Sequence, residues 1–276
     1  MILVTGASGN AGGGVVNGLL ELGADVRAAV RPGSEKRLPD GVAAAPTDLN
    51  DPDSVRRAAD GTTAAFLLSG YKGIDASLTS LADAGVERVV LLSSSAGPTG
   101  KLDNAVARYH ILSERAVRDS GLPWTFLQPN SLMSNAYRWL PRLETGDVIR
   151  APFADVAISV IDPDDLGAVA ARALTTPDHD GRTYRLSGPE ALRPAEQVAI
   201  VAKYAGRDLR FEGQSDEEAR AEMEQSMPKE YVDAFFEFFS DGLIDETTVH
   251  PTVMEVTGRE PRSFEQWAEA HAGAFS

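Results

Sequence analysis

Short apolar runs alternate with amphipathic segments along the first half of the chain. The runs predict strands, and the segments between them, in which apolar residues recur every three or four positions, predict helices. We expect strands at Ile2–Thr5, Asp25–Val30, Val42–Pro46, Ala64–Leu68, Arg88–Ser93 and Trp124–Gln128, and helices at Asp51–Ala59, Ile74–Ala84 and Leu102–Ser120. Such alternation is typical of an α/β fold with a doubly wound parallel sheet, whose ligand crevice lies at the carboxyl ends of the strands.

A glycine-rich turn connects the first predicted strand to the helix that follows it. Gly6 permits the tight turn, Gly9 lets the backbone approach phosphates, and Gly12 allows the helix to pack closely on the strand. The free N–H groups and the positive dipole end of the helix can then bind a pyrophosphate. The alternative is a purely structural turn. We predict a dinucleotide site with contacts from Gly6, Ser8, Gly9, Asn10, Ala11 and Gly12.

The pattern changes after Pro129, where helix-like segments dominate. We predict helices at Asp164–Leu174, Pro194–Ala205, Asp216–Ser226, Lys229–Ser240 and Ser263–Ala272, with brief strands near Ala157–Ile161 and Thr183–Leu186. We therefore expect a dinucleotide-binding core over residues 1–130. Residues 131–276 are expected to form mainly a smaller, helical substrate cap, with a part of them, about 155–175, returning to the core.

The end of the second predicted strand indicates which dinucleotide binds. NAD-binding proteins usually place a carboxylate there for the ribose hydroxyls, whereas this chain has Arg31 followed by Lys36, and Glu35 comes several residues too late. The two basic side chains can bind a 2′-phosphate, so we predict NADPH rather than NADH; an exposed basic loop is the alternative. Further cofactor contacts are expected at the ends of the next two strands, at Asp48, Leu49, Leu68 and Ser69, although Asp48 could instead cap a helix.

The fifth predicted strand ends in Leu91-Leu92-Ser93-Ser94-Ser95-Ala96-Gly97. Together with the glycine turn, this segment resembles the short-chain dehydrogenase/reductase superfamily, and the chain is similar to its atypical, NmrA-like branch. The matching stretches are Thr5–Gly12, Ser93–Ser95, Ser120–Asn130, Ile161–Leu166, Tyr184–Pro189 and Ser263–Ala268. The resemblance implies a Rossmann fold and an oxidoreductase, since the branch includes quinone reductases, dye reductases and ketoreductases that tailor aromatic polyketides in antibiotic biosynthesis.

The resemblance also implies a catalytic serine after the fifth strand and a Tyr-x-x-x-Lys pair on the next helix. Ser95 matches the serine. When Glu114 is aligned with a glutamate that recurs four residues after the lysine, His110 stands at the lysine position and Val106 at the tyrosine position, all on one helical face. Tyr109 is adjacent but is not followed by lysine four positions later. The Tyr–Lys pair is missing, and the candidate catalytic residues are Ser95, His110 and Tyr109.

Without that pair, the proton for the reacting oxygen must come from water, from a hydroxyl of the substrate or through Ser95. His110 could hydrogen-bond to the nicotinamide ribose or relay a proton, or it could be a packed or surface histidine of the helix. The family also implies cofactor contacts at Ser93 and Pro129, and a wall of Asn130, Ser131 and Met133 near the substrate; Asn130 could instead cap a helix. Gln128 stands where arginine is commoner in the family.

Aromatic residues supply two more candidates for substrate binding, Tyr137 and Phe235, although core packing is the commoner fate of such residues. Phe235 lies in an acidic segment from Glu212 to Glu246, which holds twelve acidic and two basic residues and is typical of a solvated helix face. The alternative for residues 210–245 is a mobile lid whose aromatic face closes over a flat aromatic ligand.

Composition narrows the classes of partner. The net charge is −15, which disfavours a nucleic-acid partner, and no run approaches the roughly 20 apolar residues of a membrane span. The chain has no cysteine, hence neither a disulfide nor a Cys-ligated metal site, and we expect no metal. The first strand begins at Ile2 and leaves no room for a signal peptide, so we expect a cytoplasmic protein, as a monomer or homodimer.

We therefore expect an NADPH-dependent reductase that transfers hydride to a bulky aromatic carbonyl or a quinone-like acceptor. A ketoreductase is narrowly preferred, because Ser95 is kept as a hydrogen-bond donor for the reacting oxygen. The alternatives are an NADP(H)-binding regulator without catalysis, which the missing Tyr–Lys pair would suit, and an NADP-dependent isomerase or epimerase.

Overall fold

The computed structural model describes residues 1–35 and 38–276. Its main sheet has seven parallel strands, numbered in chain order, which lie side by side as β3 (Ala43–Pro46), β2 (Val26–Val30), β1 (Ile2–Thr5), β4 (Ala64–Leu68), β5 (Arg88–Leu92), β6 (Trp124–Pro129) and β8 (Arg182–Leu186). The strand order reverses between β1 and β4, which places the crevice at the carboxyl ends of these strands. The predicted doubly wound α/β fold is confirmed.

Helices cover both faces of this sheet, because successive side chains of each strand point to opposite sides. The helices are α1 (Asn10–Glu21), α2 (Pro52–Ala59), α3 (Ile74–Asp83), α4 (Ala105–Asp119), α5 (Leu140–Leu143), α6 (Pro163–Thr175), α7 (Pro194–Ala205), α8 (Asp216–Met223), α9 (Lys229–Phe239), α10 (Thr252–Thr257) and α11 (Phe264–Ala270). Val4 packs with α1, α6 and α10, and Leu3 with α2, α3 and α4. None of the described helices combines the length and apolarity that a membrane span requires.

A smaller layer is built from the second half of the chain. Two strands that the sequence analysis missed, β7 (Val148–Ala151) and β9 (Arg210–Gly213), form a parallel pair, and α7 and α11 pack against the same apolar cluster. Phe264 and Trp267 of α11 are buried in that cluster. The two strands were missed because each is only four residues long and mixes charged with apolar positions.

The strand predicted near Ala157–Ile161 is wrong. This segment forms only two isolated bridges, one from Ile158 and one from Ile161. Its main-chain groups bind several different segments instead of one neighbouring strand; for example, the Ser159 N–H donates to the carbonyl of Glu246 over 2.7 Å. The segment leads from the smaller layer to α6. The strand that follows α6, β8, is added to the main sheet by the second half of the chain.

Glycines bring α1 and α6 into close contact. A Cβ atom on Gly14 would lie 2.1 Å from the carbonyl oxygen of Pro163, and one on Gly167 would lie 2.0 Å from the carbonyl oxygen of Gly14. A Cβ atom on Gly18 would lie 2.7 Å from the carbonyl oxygen of Gly167. These neighbours are backbone atoms, so they cannot turn away as a flexible side chain would. The second half of the chain therefore fixes the position of α1 on the sheet.

We predict that Gly167→Ala destabilises the protein by about 1–3 kcal/mol, because α1 and α6 must separate to admit the methyl group. The matched control is Gly146→Ala, whose Cβ would meet no atom within 4 Å. Urea unfolding followed by circular dichroism measures both. Equal stability of the two variants would contradict the close contact of α1 and α6.

Candidate active site

The glycine turn gives α1 an N-terminus suited to a diphosphate. Gly6 has a left-handed backbone, with φ of +64°, and a Cβ atom on Gly12 would lie 2.2 Å from the Gly6 carbonyl oxygen. Gly9 is the N-cap; no side chain caps the helix, and its first turn carries no acidic residue. The first N–H groups of α1 therefore remain available to an anion, as the phosphates of a dinucleotide require.

The adenosine end of the predicted site is formed by loops after β2 and β3. Arg31 is exposed directly after β2, whereas Lys36 lies outside the described residues. The side chain of Asp48 accepts hydrogen bonds from Asn50, and Asp51 caps α2. Asp48 is therefore not the helix cap, and its carboxylate shapes the loop after β3.

Three of the predicted cofactor contacts, Leu49, Leu68 and Ser69, are fixed by contacts with neighbouring residues. The side chain of Leu68 lies against Gly6, where a Cβ atom would come within 2.6 Å of it, and Leu49 is partly buried against the helices of the opposite face. Ser69 donates a 2.7 Å hydrogen bond to the carbonyl of Leu92. These contacts connect the end of β4 to the glycine turn and to β5.

A buried carboxylate ties β5, α4 and β6 together below the crevice. Glu114 of α4 accepts hydrogen bonds from the Ser93 hydroxyl at 2.6 Å and from Nε2 of Gln128 at 2.7 Å. Arg118, one turn along α4, donates to its other oxygen at 3.1 Å. Gln128 thus supplies a hydrogen bond where the family more often has arginine. The hydroxyl of Ser93 is occupied by this network, which holds β5 in place beside α4.

Ser95 takes part in a second buried network that the sequence analysis did not find. Its hydroxyl donates a 2.5 Å hydrogen bond to Oε1 of Glu246. The other oxygen of Glu246 accepts from the N–H of Ser131 at 3.2 Å and from its hydroxyl at 2.9 Å. Glu246 is only 6% exposed. A carboxyl group therefore bridges the loops that follow β5 and β6, at the edge of the sheet where a ligand is expected.

The acidic segment that ends at Glu246 is only partly a solvated surface. Most of its acidic residues on α8 and α9 are exposed or half-buried, in line with that interpretation, but it is wrong for Glu246. The burial of Glu246 depends on Ser95, which lies 151 positions earlier in the chain. The weak local signal is the apolar pair Leu243 and Ile244, which directs the chain back to the core after α9.

Among the residues after β6, one makes hydrogen bonds to neighbouring segments and others pack in the smaller layer. The Nδ2 atom of Asn130 donates to the Ser159 hydroxyl at 2.9 Å and to the Glu246 carbonyl at 3.1 Å, so the interpretation of Asn130 as a helix cap is wrong. Met133 is buried in the apolar cluster of the smaller layer. Tyr137 packs there too, stacked on Phe275 with ring centroids 5.6 Å apart. As substrate contacts, Met133 and Tyr137 remain predictions.

His110 and Tyr109 lie next to each other on α4, with ring centroids 4.2 Å apart. His110 is 9% exposed, and its Nδ1 atom has no hydrogen-bond partner among the described residues. Burial lowers its pKa to about 3, so the imidazole is neutral near pH 7. The Tyr109 ring packs on Gly70, where a Cβ atom would lie 2.9 Å from it. His110 thus offers a free ring nitrogen, and Tyr109 mainly packs.

In this structure α9 lies along α4. Asn104, the N-cap of α4, donates to the carbonyl of Ala234 at 3.2 Å and to the carboxylate of Glu237 at 2.9 Å. Phe238 is buried between the two helices, and Phe235 is partly buried beside it. The aromatic stripe therefore belongs to a packed cluster. That cluster includes Ala96, next to Ser95, and Val106, the residue at the family's tyrosine position, so it forms a wall close to Ser95.

A model of the NmrA-like family matches residues 1–268. The chain belongs to the NmrA-like family. A relative from Streptomyces griseus, a (4-alkanoyl-5-oxo-2,5-dihydrofuran-3-yl)methyl phosphate reductase, is 36% identical and covers 100% of this chain and 99% of its own. An NAD(P)H azoreductase from Xenophilus azovorans is 32% identical, with the same shares covered. The resemblance found in the sequence is confirmed, and both names are those of reductases.

The fold is also that of solved structures. An NADPH-dependent quinone oxidoreductase from Escherichia coli, solved with NADPH, superposes with a TM-score of 0.78 at 22% identity. The match covers 98% of this chain and 99% of that chain. A triphenylmethane reductase from Citrobacter, solved with NADP(H), gives a TM-score of 0.77 at 21% identity and covers 99% and 100%. At these identities the likeness concerns the fold.

We predict that His110 stays neutral from pH 8 down to about pH 4. Because its folded pKa lies below that of an unfolded histidine, the unfolded state gains the proton first, and stability falls as the pH drops from about 6.5 towards 3. NMR titration of the four histidine ring signals, with His110→Asn for assignment, measures this. A His110 signal that titrates near pH 6.5 in the folded protein would contradict the prediction.

Proposed function

We propose that this NAD(P)H-dependent oxidoreductase uses NADPH to reduce a quinone-like or conjugated aromatic carbonyl compound. The observation that carries the proposal is the position of Ser95. Ser95 follows the carboxyl end of β5, on the edge of the sheet where the uncapped, glycine-rich N-terminus of α1 also lies. A hydroxyl beside a dinucleotide crevice can donate a hydrogen bond to an oxygen on which negative charge develops.

The residues of the crevice fit a dinucleotide. The first turn of α1 would hold the diphosphate, and Arg31 would bind the 2′-phosphate at the end of β2. The free Nδ1 atom of His110 is a buried polar atom that a ribose hydroxyl would satisfy. When bound, the nicotinamide supplies a hydride. The protein's part is to orient the acceptor, exclude water and manage the proton at the oxygen that receives the electron pair.

The missing Tyr–Lys pair favours acceptors whose reduced oxygen is a weak base. Addition of hydride to a simple ketone leaves an alkoxide, which is about as strong a base as hydroxide. Addition to a quinone leaves a phenolate, whose conjugate acid has a pKa of about 10. Protonation of the phenolate oxygen therefore needs far less help from the protein than protonation of an alkoxide oxygen. The relatives from Streptomyces griseus and Xenophilus azovorans, named for a furanone with conjugated carbonyls and for azo compounds, are consistent with this choice.

A more specific version of this proposal is a ketoreductase that acts on aromatic ketones. A ketone with a neighbouring hydroxyl group can stabilise its alkoxide by an internal hydrogen bond, which suits a site without tyrosine. However, that alkoxide is still a stronger base than the phenolate that a quinone leaves. A quinone-like acceptor is therefore our preferred substrate.

We expect Arg31→Ala to raise the dissociation constant of NADPH about tenfold while leaving that of NADH within twofold, because only NADPH carries the 2′-phosphate. Arg182→Ala is the matched control, since Arg182 is exposed at the amino end of β8, away from the crevice. Fluorescence titration of both cofactors gives the constants. An equal loss for NADH and NADPH would show that Arg31 does not bind that phosphate.

The reaction itself is tested with a panel of quinones, hydroxylated aromatic ketones and simple aryl ketones. We expect NADPH oxidation to be fastest with quinones, by about 10²-fold or more over simple ketones, the scale of one lost general acid. Tight NADPH binding without turnover of any acceptor would favour a regulator instead. Turnover of an acceptor without net NADPH consumption would indicate an isomerase or epimerase.

A further inference from the structure

Hydrogen bonds to the main chain of Glu246 fix the position of this residue. Its carbonyl accepts hydrogen bonds from the N–H of Ser159 at 2.7 Å, from the Ser159 hydroxyl at 2.8 Å and from Asn130 at 3.1 Å. These bonds fix the main chain on the segment between the smaller layer and α6. The side chain is therefore placed at Ser95 by the fold, and it does not reach there from a free loop.

Both oxygens of the Glu246 carboxyl group are hydrogen-bonded, each to a different loop. One oxygen lies 2.5 Å from the Ser95 hydroxyl, and the other is bound by the N–H and hydroxyl of Ser131. The candidates proposed from the sequence do not fill this role. His110 is neutral near pH 7 and so carries no imidazolium proton to give, and among the described residues Tyr109 makes no hydrogen bond to Ser95, whose hydroxyl is bound by Glu246. Glu246 is the titratable group that the structure places in direct contact with Ser95.

We propose that Glu246 is the proton donor of the reaction and acts through the Ser95 hydroxyl. The inference rests on the proposed function. As the hydride forms a bond to the acceptor, the carbonyl π bond breaks and its electron pair moves to the oxygen. In the reactive state the shared hydrogen belongs to the carboxylic acid of Glu246, which donates to the Ser95 oxygen across the 2.5 Å contact. The Ser95 hydroxyl then gives its own proton to the acceptor oxygen as it takes the one from Glu246. The glutamate is left as a carboxylate and recovers its proton from solvent, while the nicotinamide is oxidised.

The surroundings of Glu246 agree with this role. Burial raises its pKa, although the hydrogen bonds from Ser95 and Ser131 and the positive charge of Arg185 on β8 act in the opposite direction. A carboxylic acid is also a stronger acid than a phenol, so transfer to a phenolate oxygen is favourable even without a large shift. Once Glu246 is ionised, the three donors from Ser95 and Ser131 stabilise the carboxylate until it is protonated again.

The test compares Glu246→Gln, which keeps the size and the hydrogen-bond acceptor but has no acidic proton, with Glu246→Asp. Glu237→Gln is the control, because Glu237 is a hydrogen-bonded carboxylate of the same acidic segment that contacts Asn104 and lies outside the Ser95 network. Each variant is saturated with NADPH and mixed with a quinone, and a single turnover is followed by absorbance across pH in water and in deuterium oxide. Circular dichroism and NADPH titration check that fold and cofactor affinity are kept.

For Glu246→Gln we expect a loss of at least about 10²-fold in the single-turnover rate, a flat pH profile and a smaller solvent isotope effect. Glu246→Asp should recover part of the rate, and Glu237→Gln should match the wild type. Infrared difference spectra of the cofactor-free protein, wild type against Glu246→Gln, should show the band of a protonated carboxylic acid at the pH where the rate is highest.

Three results would overturn the proposal. If Glu246→Gln keeps the wild-type rate and isotope effect, the carboxyl group is only structural, and the reductase function stands. If the infrared band is missing throughout the active pH range, Glu246 holds no proton to give. If the wild type turns over no acceptor, the proposed function fails together with the proton donor, so the two failures can be told apart.

Discussion

The close contact of α1 and α6 is the constraint on which the site depends. Both helices have glycine where they meet, and the carbonyl of Gly14 fills the space that a side chain on Gly167 would need. One of these helices starts at the glycine-rich turn, and the other follows the segment that hydrogen-bonds to Glu246. The same packing therefore sets the distance between the glycine-rich turn and the network of Ser95 and Glu246.

Much of the fold could be predicted from local pattern, because it is encoded in neighbouring residues. The strands of the first half, the cap at Asp51 and the glycine turn each depend on a few adjacent positions. The strands β7 and β9 could not be predicted in this way, since their pairing lies between residues far apart in sequence and their apolar pattern is short. The family resemblance led to two predictions that the local pattern does not give, Ser95 as the catalytic serine and a missing Tyr–Lys pair.

The residue that most changes the chemistry, Glu246, could not be found by these means. In sequence it is one more acid in an acidic run, and acids in such runs are usually solvated. Its burial follows from hydrogen bonds with Ser95, Asn130, Ser131 and Ser159, which come from three other parts of the chain. The spacing of apolar residues along the chain cannot reveal these long-range hydrogen bonds. The family places its tyrosine on α4. In this chain, the carboxyl group that contacts Ser95 comes from a different segment.

The route of the chain from β9 to Glu246 has a consequence for how members of this family diverge. Residues 214–246 form α8 and α9, place Phe235 and Phe238 beside α4, and end at the carboxyl group on Ser95. The wall beside the acceptor and the acid at its oxygen are thus encoded by one continuous stretch of some thirty residues. An exchange of that single stretch between relatives would replace acceptor shape and proton chemistry together, while the dinucleotide half of the molecule stays unchanged.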